Sequence, residues 1–128
     1  MSAIKVLSIA GVDPSGGAGI FADLKTFSAL GAYGCGVVCA LTAQNTQGVQ
    51  GVAPVEPSFV ALQLRTVLTD LDVGAAKTGM LAAAPIIRAV VTTLKDFPAI
   101  PVVVDPVMVA TSGDVLLQSD AIDAVRNE

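Results

Sequence analysis

Apolar and polar positions alternate in blocks along the chain. Residues 3–10 form an apolar run broken only by Lys5 and Ser8, as expected of a strand buried on both faces. Gly11-Val-Asp-Pro-Ser-Gly-Gly17 follows as a turn-forming cluster. Residues 18–30 carry Ile20, Leu24 and Phe27 at helical spacing, and Gly31 is placed to end that helix. Residues 37–43 read as a second buried strand. Residues 44–56 are a polar connection with room for a short edge strand around 49–55. Pro57 opens a helix whose Val60, Leu64, Val67, Leu68 and Leu71 share one stripe. A third strand over 73–77 stops at Thr78-Gly79, and a helix over 85–97 carries Ile86, Val90, Leu94 and Phe97 on one face. Residues 101–105 are a fourth strand with three successive valines, read as buried. Ser119 or Asp120 caps a last helix that runs to Glu128.

Strands apolar on both faces, alternating with amphipathic helices, predict a covered sheet with right-handed crossovers. The expected class is α/β: a doubly wound, mostly parallel sheet with helices on both faces. At 128 residues there is room for one core. Hydrophobic residues make up 53% and charged residues 14%, which excludes a disordered chain. Uninterrupted apolar runs such as Val102-Val103-Val104 fall far short of the ~20 residues of a membrane span, so no membrane partner is expected. The net charge is −4, and the seven Lys and Arg are scattered, so no basic face for nucleic acid can be assembled. Aromatics are 4% with no Trp, which removes stacking platforms. With no His, and only Cys35 and Cys39 as thiols, a zinc site cannot close. Four positions apart on a strand, those thiols are too distant for a disulfide, so buried reduced thiols in a reducing compartment are expected. Met1-Ser2 leads directly into the first strand without a signal-peptide pattern, and the cytoplasm is the expected location.

Ligands of open α/β sheets bind outside the carboxyl ends of the strands. Strand one empties into Asp13-Pro14-Ser15, and the second ends at Thr42, Gln44 and Asn45. Lys77, Thr78 and Met80 follow the third, and Asp105-Pro106 the fourth. Polar residues mark many strand ends simply because chains turn there. Asp105, after three apolar valines, is the position where chemistry is the better explanation. Lys77, inside an apolar strand terminus, requires a carboxylate or phosphate partner. Turning Asp23 from solvent needs an unusual rotation of its helix, and Lys25 reads as solvated. Gly11-x-x-x-x-Gly16-Gly17-Ala18 has the spacing of a phosphate-binding P-loop, but Gly17 and Ala18 replace its Lys and Ser/Thr. Gly17-x-Gly19-x-x-Ala22 spells a dinucleotide fingerprint, yet it starts seven residues past the strand, and Gln44 stands where an acid should hold ribose. A third use is close backbone approach to a small substrate, with N–H groups at the helix N-terminus available to polar or anionic groups.

Residues 10–20 (Ala10-Gly-Val-Asp-Pro-Ser-Gly-Gly-Ala-Gly-Ile20) and Ala22-Asp23-Leu24-Lys25-Thr26 resemble the opening signature of a kinase family. It comprises the hydroxymethylpyrimidine/phosphomethylpyrimidine kinases of thiamine biosynthesis. Ala40 to Thr46, Lys77 to Leu81 and Val104 to Met108 continue the likeness in order. The resemblance implies a ribokinase-like fold, with residues 1–128 as the N-terminal portion of a single kinase domain. It implies ATP and Mg2+ as cofactors, and successive phosphorylation of 4-amino-5-hydroxymethyl-2-methylpyrimidine and its monophosphate. The substrate contacts it implies are Gly11, Gln44, Met80 and Val107. An amide at Gln44 offers donor and acceptor to an aminopyrimidine edge, while Met80 and Val107 would sandwich the ring. Asp105 would serve the metal side, commonly through water. Phe21 stands where the family usually has Gln.

Such kinases are roughly twice this long, beyond the ~150 residues of a typical domain. The resemblance implies that their catalytic Asp base, Asn-x-x-Glu metal motif and Gly-rich anion hole fall beyond Glu128. No catalytic residue is therefore expected among these 128, and by themselves they should be inactive. Relatives often dimerise, so a homodimer is an admissible partner. Two alternatives stay open: a pyridoxal-type vitamin kinase, and a non-catalytic pyrimidine-binding module.

Overall fold

The computed structural model describes residues 3–105. Val107, Met108 and the expected final helix lie outside the described residues. The first strand, β1 (Lys5–Val12), runs two residues past its apolar stretch and takes in Gly11. A turn leads into α1 (Gly19–Ala29). Helix α1 ends as its sequence demands: Gly31 takes a left-handed φ of 81°, its N–H donates to Ser28 O, and Ala32 N–H donates to Phe27 O.

The second strand, β2 (Tyr33–Asn45), is longer at both ends than the valine run suggested. It folds back through a tight turn onto β3 (Gly48–Pro54), which pairs antiparallel with it. Asn45 Oδ1 accepts from the N–H groups of Gln47 and Gly48 in that turn. There follow α2 (Pro57–Asp70), β4 (Val73–Thr78), α3 (Ala84–Leu94) and the short β5 (Val102–Val104). Among the described residues these strands form one sheet in the order β3-β2-β1-β4-β5, parallel except for β3.

The two faces of the sheet are covered differently. Ser8 on β1 bonds to α1, and the Cβ positions of Gly34 and Gly36 on β2 meet Leu24, Phe27 and Ile20 of the same helix. The alternate residues Leu7, Ile9 and Val37 point the other way, into a core with Val60 and Leu64 of α2 and Ile86 and Val90 of α3. Right-handed crossovers require this: the chain leaves β1 toward β2 over one face and returns from β2 toward β4 over the other. Truncating a fully buried member such as Leu64 would cost about 2–5 kcal/mol.

Two local features finish β2. Its pairing with β1 slips at Cys39: Ala10 pairs with Val38 but Gly11 with Ala40, so β2 carries one extra residue. Pairing with β3 stops at Ala40, which would leave the outer edge of Val38 open. The Gln63 amide of α2 closes it, accepting from Val38 N–H at 3.0 Å and donating to Val38 O at 2.9 Å. Cys39 is fully buried there and burial pushes its thiol up to about 12; Cys35, half-buried, is raised for the same reason.

The far edge contradicts one expectation. The valines of β5 are not all buried, since Val103 is 69% and Val104 63% exposed, and only Val102 packs against the core. Among the described residues β5 is the outermost strand on that side of the sheet.

Candidate functional site

Strand order reverses around β1, with β2 on one side and β4 on the other, and crevices of open α/β sheets form at such a switch. Gly11 ends the buried part of β1 there. A Cβ at Gly11 would lie 2.5 Å from Met80 Cε, so the Met80 thioether rests directly on the Gly11 backbone. Met80 is only 9% exposed and follows β4 by two residues. Gly79 N–H donates to Ile9 O, tying that segment to β1. Ala82, just beyond, holds a left-handed φ of 75°, a conformation that costs a non-glycine residue about 1–2 kcal/mol. Gly11 and Met80, two of the expected contacts, are thus in direct contact.

Gln44 joins them through β2. Thr42 Oγ1 lies 2.8 Å from Val12 O, to which it donates, and 3.1 Å from Gln44 Oε1. The extra residue at Cys39 matters here. Before it, even-numbered residues of β2 face α1; after it, Ala40 pairs with Gly11 and shares its face. Thr42 and Gln44 therefore fall on the Gly11–Met80 side of the sheet.

The glycine-rich loop is closed by its own chain. Gly16 N–H donates to Asp13 O across Pro14-Ser15, a turn with proline where its fixed φ is favoured. Asp13 is 4% exposed, and its Oδ1 accepts from Ser15 N–H at 2.9 Å and Ser15 Oγ at 2.7 Å. Burial pushes this carboxyl up, but those bonds and the N–H groups of Ala18 and Gly17 outweigh it and hold the group below its ordinary value. The N–H groups of Ser15, Gly17 and Ala18 are thus turned to Asp13 and not to a ligand. Gly19 completes the loop with a φ of 64°, and a Cβ there would lie 2.5 Å from Gly11 O. Only glycine allows the helix to start this close to β1.

Lys77 finds its partner within the chain: Nζ lies 3.0 Å from Asp23 Oδ2, which also accepts from the buried Ser8 hydroxyl at 2.7 Å. The reading of Asp23 as an outward residue is corrected, because α1 turns it toward the sheet. Ser8 and Lys77 are register partners on adjacent strands. Two polar interruptions in apolar strands, with one acid on the crossing helix, were the sequence signal for this cluster. Lys25 is exposed as expected and reaches Gly16 O at 3.2 Å. Phe21 lies exposed on α1.

Asp105 follows β5 at the same end of the sheet, where its N–H donates to Thr78 O. Its side chain is exposed rather than set behind buried valines. Among the described residues no group of three His, Cys, Asp or Glu could hold a metal ion. A lone exposed carboxylate suits a hydrated magnesium ion held mainly through water. Val107, the remaining expected contact, lies outside the described residues.

The fold is shared with solved vitamin kinases of the ribokinase-like class. The chain matches the phosphomethylpyrimidine kinase of Clostridium difficile 630 with a TM-score of 0.87 and 46% identity, over 95% of this chain and 53% of that one. It matches the pyridoxal kinase of Staphylococcus aureus in complex with AMP-PCP with a TM-score of 0.81 and 35% identity, over 99% and 45%. The phosphomethylpyrimidine kinase family profile covers residues 13–128, and the chain belongs to that family. It is 55% identical over 127 residues to the hydroxymethylpyrimidine/phosphomethylpyrimidine kinase of Escherichia coli K12, covering 99% of this chain and 48% of that protein. The chain spans about half the length of the curated relatives it matches. No helix among the described residues is long and apolar enough to cross a membrane.

Proposed function

We propose that these residues form the pyrimidine-holding part of a kinase of thiamine biosynthesis. The kinase transfers the γ-phosphoryl group of ATP to the hydroxymethyl oxygen of 4-amino-5-hydroxymethyl-2-methylpyrimidine, and then to the resulting monophosphate. The observation that carries this reading is the contact of Gly11 with Met80 at the switch point, with Gln44 brought by β2 to the same side of the sheet. The absence of a side chain at Gly11 lets the Met80 thioether lie against β1, and that thioether is a polarizable surface for one ring face. With Oε1 near Thr42, the Gln44 amide can turn its remaining donor and acceptor to the amino and ring-nitrogen edge of the pyrimidine. Val107 is proposed for the opposite ring face.

Phosphoryl transfer is mostly positioning and charge stabilisation, and these residues supply the positioning of the acceptor. Asp105 is the one proposed magnesium-side group, acting through water; the ion, when bound, neutralises phosphate charge. The base and the anion hole are proposed for the additional length that relatives possess, so these 128 residues are expected to bind without turnover. A reducing cytoplasmic setting fits the two free thiols.

Isothermal titration tests the reading. Hydroxymethylpyrimidine should bind the chain and ATP should not, while added ADP-forming activity stays at background. Pyridoxal binding more tightly than the pyrimidine would transfer the assignment to a pyridoxal-type kinase, the reading favoured by the likeness to the S. aureus enzyme. Pyrimidine binding with no turnover even in a full-length version of this sequence would instead indicate a binding module.

A further inference from the structure

The least expected group in the loop is Asp13, an acid almost wholly removed from water within a segment built like an anion cradle. A buried carboxylate is costly unless donors surround it. Here they do: Ser15 presents both N–H and hydroxyl to Oδ1, and the Cβ position of Gly17 lies only 3.7 Å from Oδ2, so that peptide runs alongside the second oxygen. The Asp13 carbonyl also takes the Gly16 N–H and closes the turn from the backbone side. One residue thus organises the segment from Asp13 to Ala18 through both its side chain and its main chain.

We infer that Asp13 is a built-in anion: its carboxylate fills the donor ring of the loop, positions Gly11 and Gly19 against each other, and keeps phosphate out. The geometry resembles a phosphate loop with its guest replaced by a residue of the loop itself. Two consequences follow. The loop supplies shape and no phosphate grip, so transferred phosphoryl groups must be held elsewhere on the rim. Asp13 is also a positioning residue for the pyrimidine site, a step that rests on the function proposed above.

Chemical rescue tests the inference without using the pyrimidine. Thermal unfolding of the chain is compared in sodium formate and in sodium chloride of equal ionic strength. The wild-type midpoint should be the same in both salts. Asp13→Ala should unfold roughly 5–10 °C lower in chloride and recover a substantial part of that loss as formate is added, with saturation. Asp13→Asn, which keeps shape but not charge, should remain low in both salts. An Asp13→Ala variant indifferent to formate, or an Asp13→Asn variant as stable as wild type, would overturn the proposal. Should both variants fail to fold, amide NMR of the wild-type chain still decides. Inorganic phosphate should leave the Ser15, Gly17 and Ala18 signals in place, and saturable movement of those signals would refute a filled loop. Pyrimidine titration of Asp13→Ala with and without formate then reads the positioning role: affinity should return with formate. If the rescue of stability succeeds while no pyrimidine binds even to wild type, the anion inference stands and the functional reading falls.

Discussion

The two sides of the rim are built on opposite plans. Around β1, β2 and the start of α1, backbone meets backbone at distances only glycine permits, and polar side chains are paired within the chain: Asp13 with Ser15, Thr42 with Val12 and Gln44, Lys77 with Asp23. Around β5 the picture reverses. Three residues of strand carry two exposed valines, and Asp105 is held through its backbone while its carboxylate stays in the open. A preorganised side suits recognition of a neutral ring, because no rearrangement has to accompany binding. An exposed carboxylate suits charge that arrives with another component. On the proposed function, the difference assigns acceptor recognition and phosphate handling to unlike structures instead of spreading them over one pocket.

The sharpest way to break this contrast is Gly19→Ala. Its Cβ would meet Gly11 O at 2.5 Å in a backbone already at a φ of 64°. Urea unfolding should show a loss of roughly 3 kcal/mol or more; a loss below about 1 kcal/mol would mean the β1–α1 contact is looser than drawn. Next comes Gln44→Leu. Calorimetry should give a pyrimidine affinity roughly 10–100-fold weaker, the cost of losing a paired amide in a closed site, with little change in unfolding.

Acid supplies the third test. Asp13 has a folded-state pKa below its ordinary value, so it contributes stability above the ordinary carboxylate range. That contribution is lost as pH falls through the depressed folded value. The stability gap between wild type and Asp13→Asn should therefore be constant near neutrality and shrink below about pH 4. A gap that persisted unchanged into strong acid would contradict the assignment. The smallest effect belongs to the other side: Val104→Thr, at a residue 63% exposed, should stay within about 0.5 kcal/mol of wild type by the same urea measurement.

The elements were largely legible in the sequence because their signals are local. Pro57 and the Val60–Leu64–Leu68 stripe define α2, and Gly31 ends α1 by a bond pattern set within six residues. The order of polar strand ends likewise anticipated a rim at one end of the sheet. What escaped was non-local. The antiparallel set of β3 depends on a turn held by Asn45, and the inward rotation of Asp23 depends on where Ser8 and Lys77 arrive on two other strands. The inward turn of the Ser15, Gly17 and Ala18 N–H groups onto Asp13 escaped as well, because a sequence does not say which way a carboxylate folds. Three valines in a row looked buried because burial on both faces was assumed for a strand that is outermost among the described residues.

The extra residue at Cys39 makes the proposed binding face a matter of parity. Because side chains on a strand alternate with a period of two, Gln44 faces Gly11 and Met80 only while the count between Val38 and Gln44 keeps its present value. Deleting one codon there would turn every later side chain of β2 to the opposite face without altering a single contact residue. If these side chains choose the ligand as proposed, that choice can be rewritten by insertion or deletion as readily as by substitution, and a change of specificity would leave its trace as a gap in an alignment.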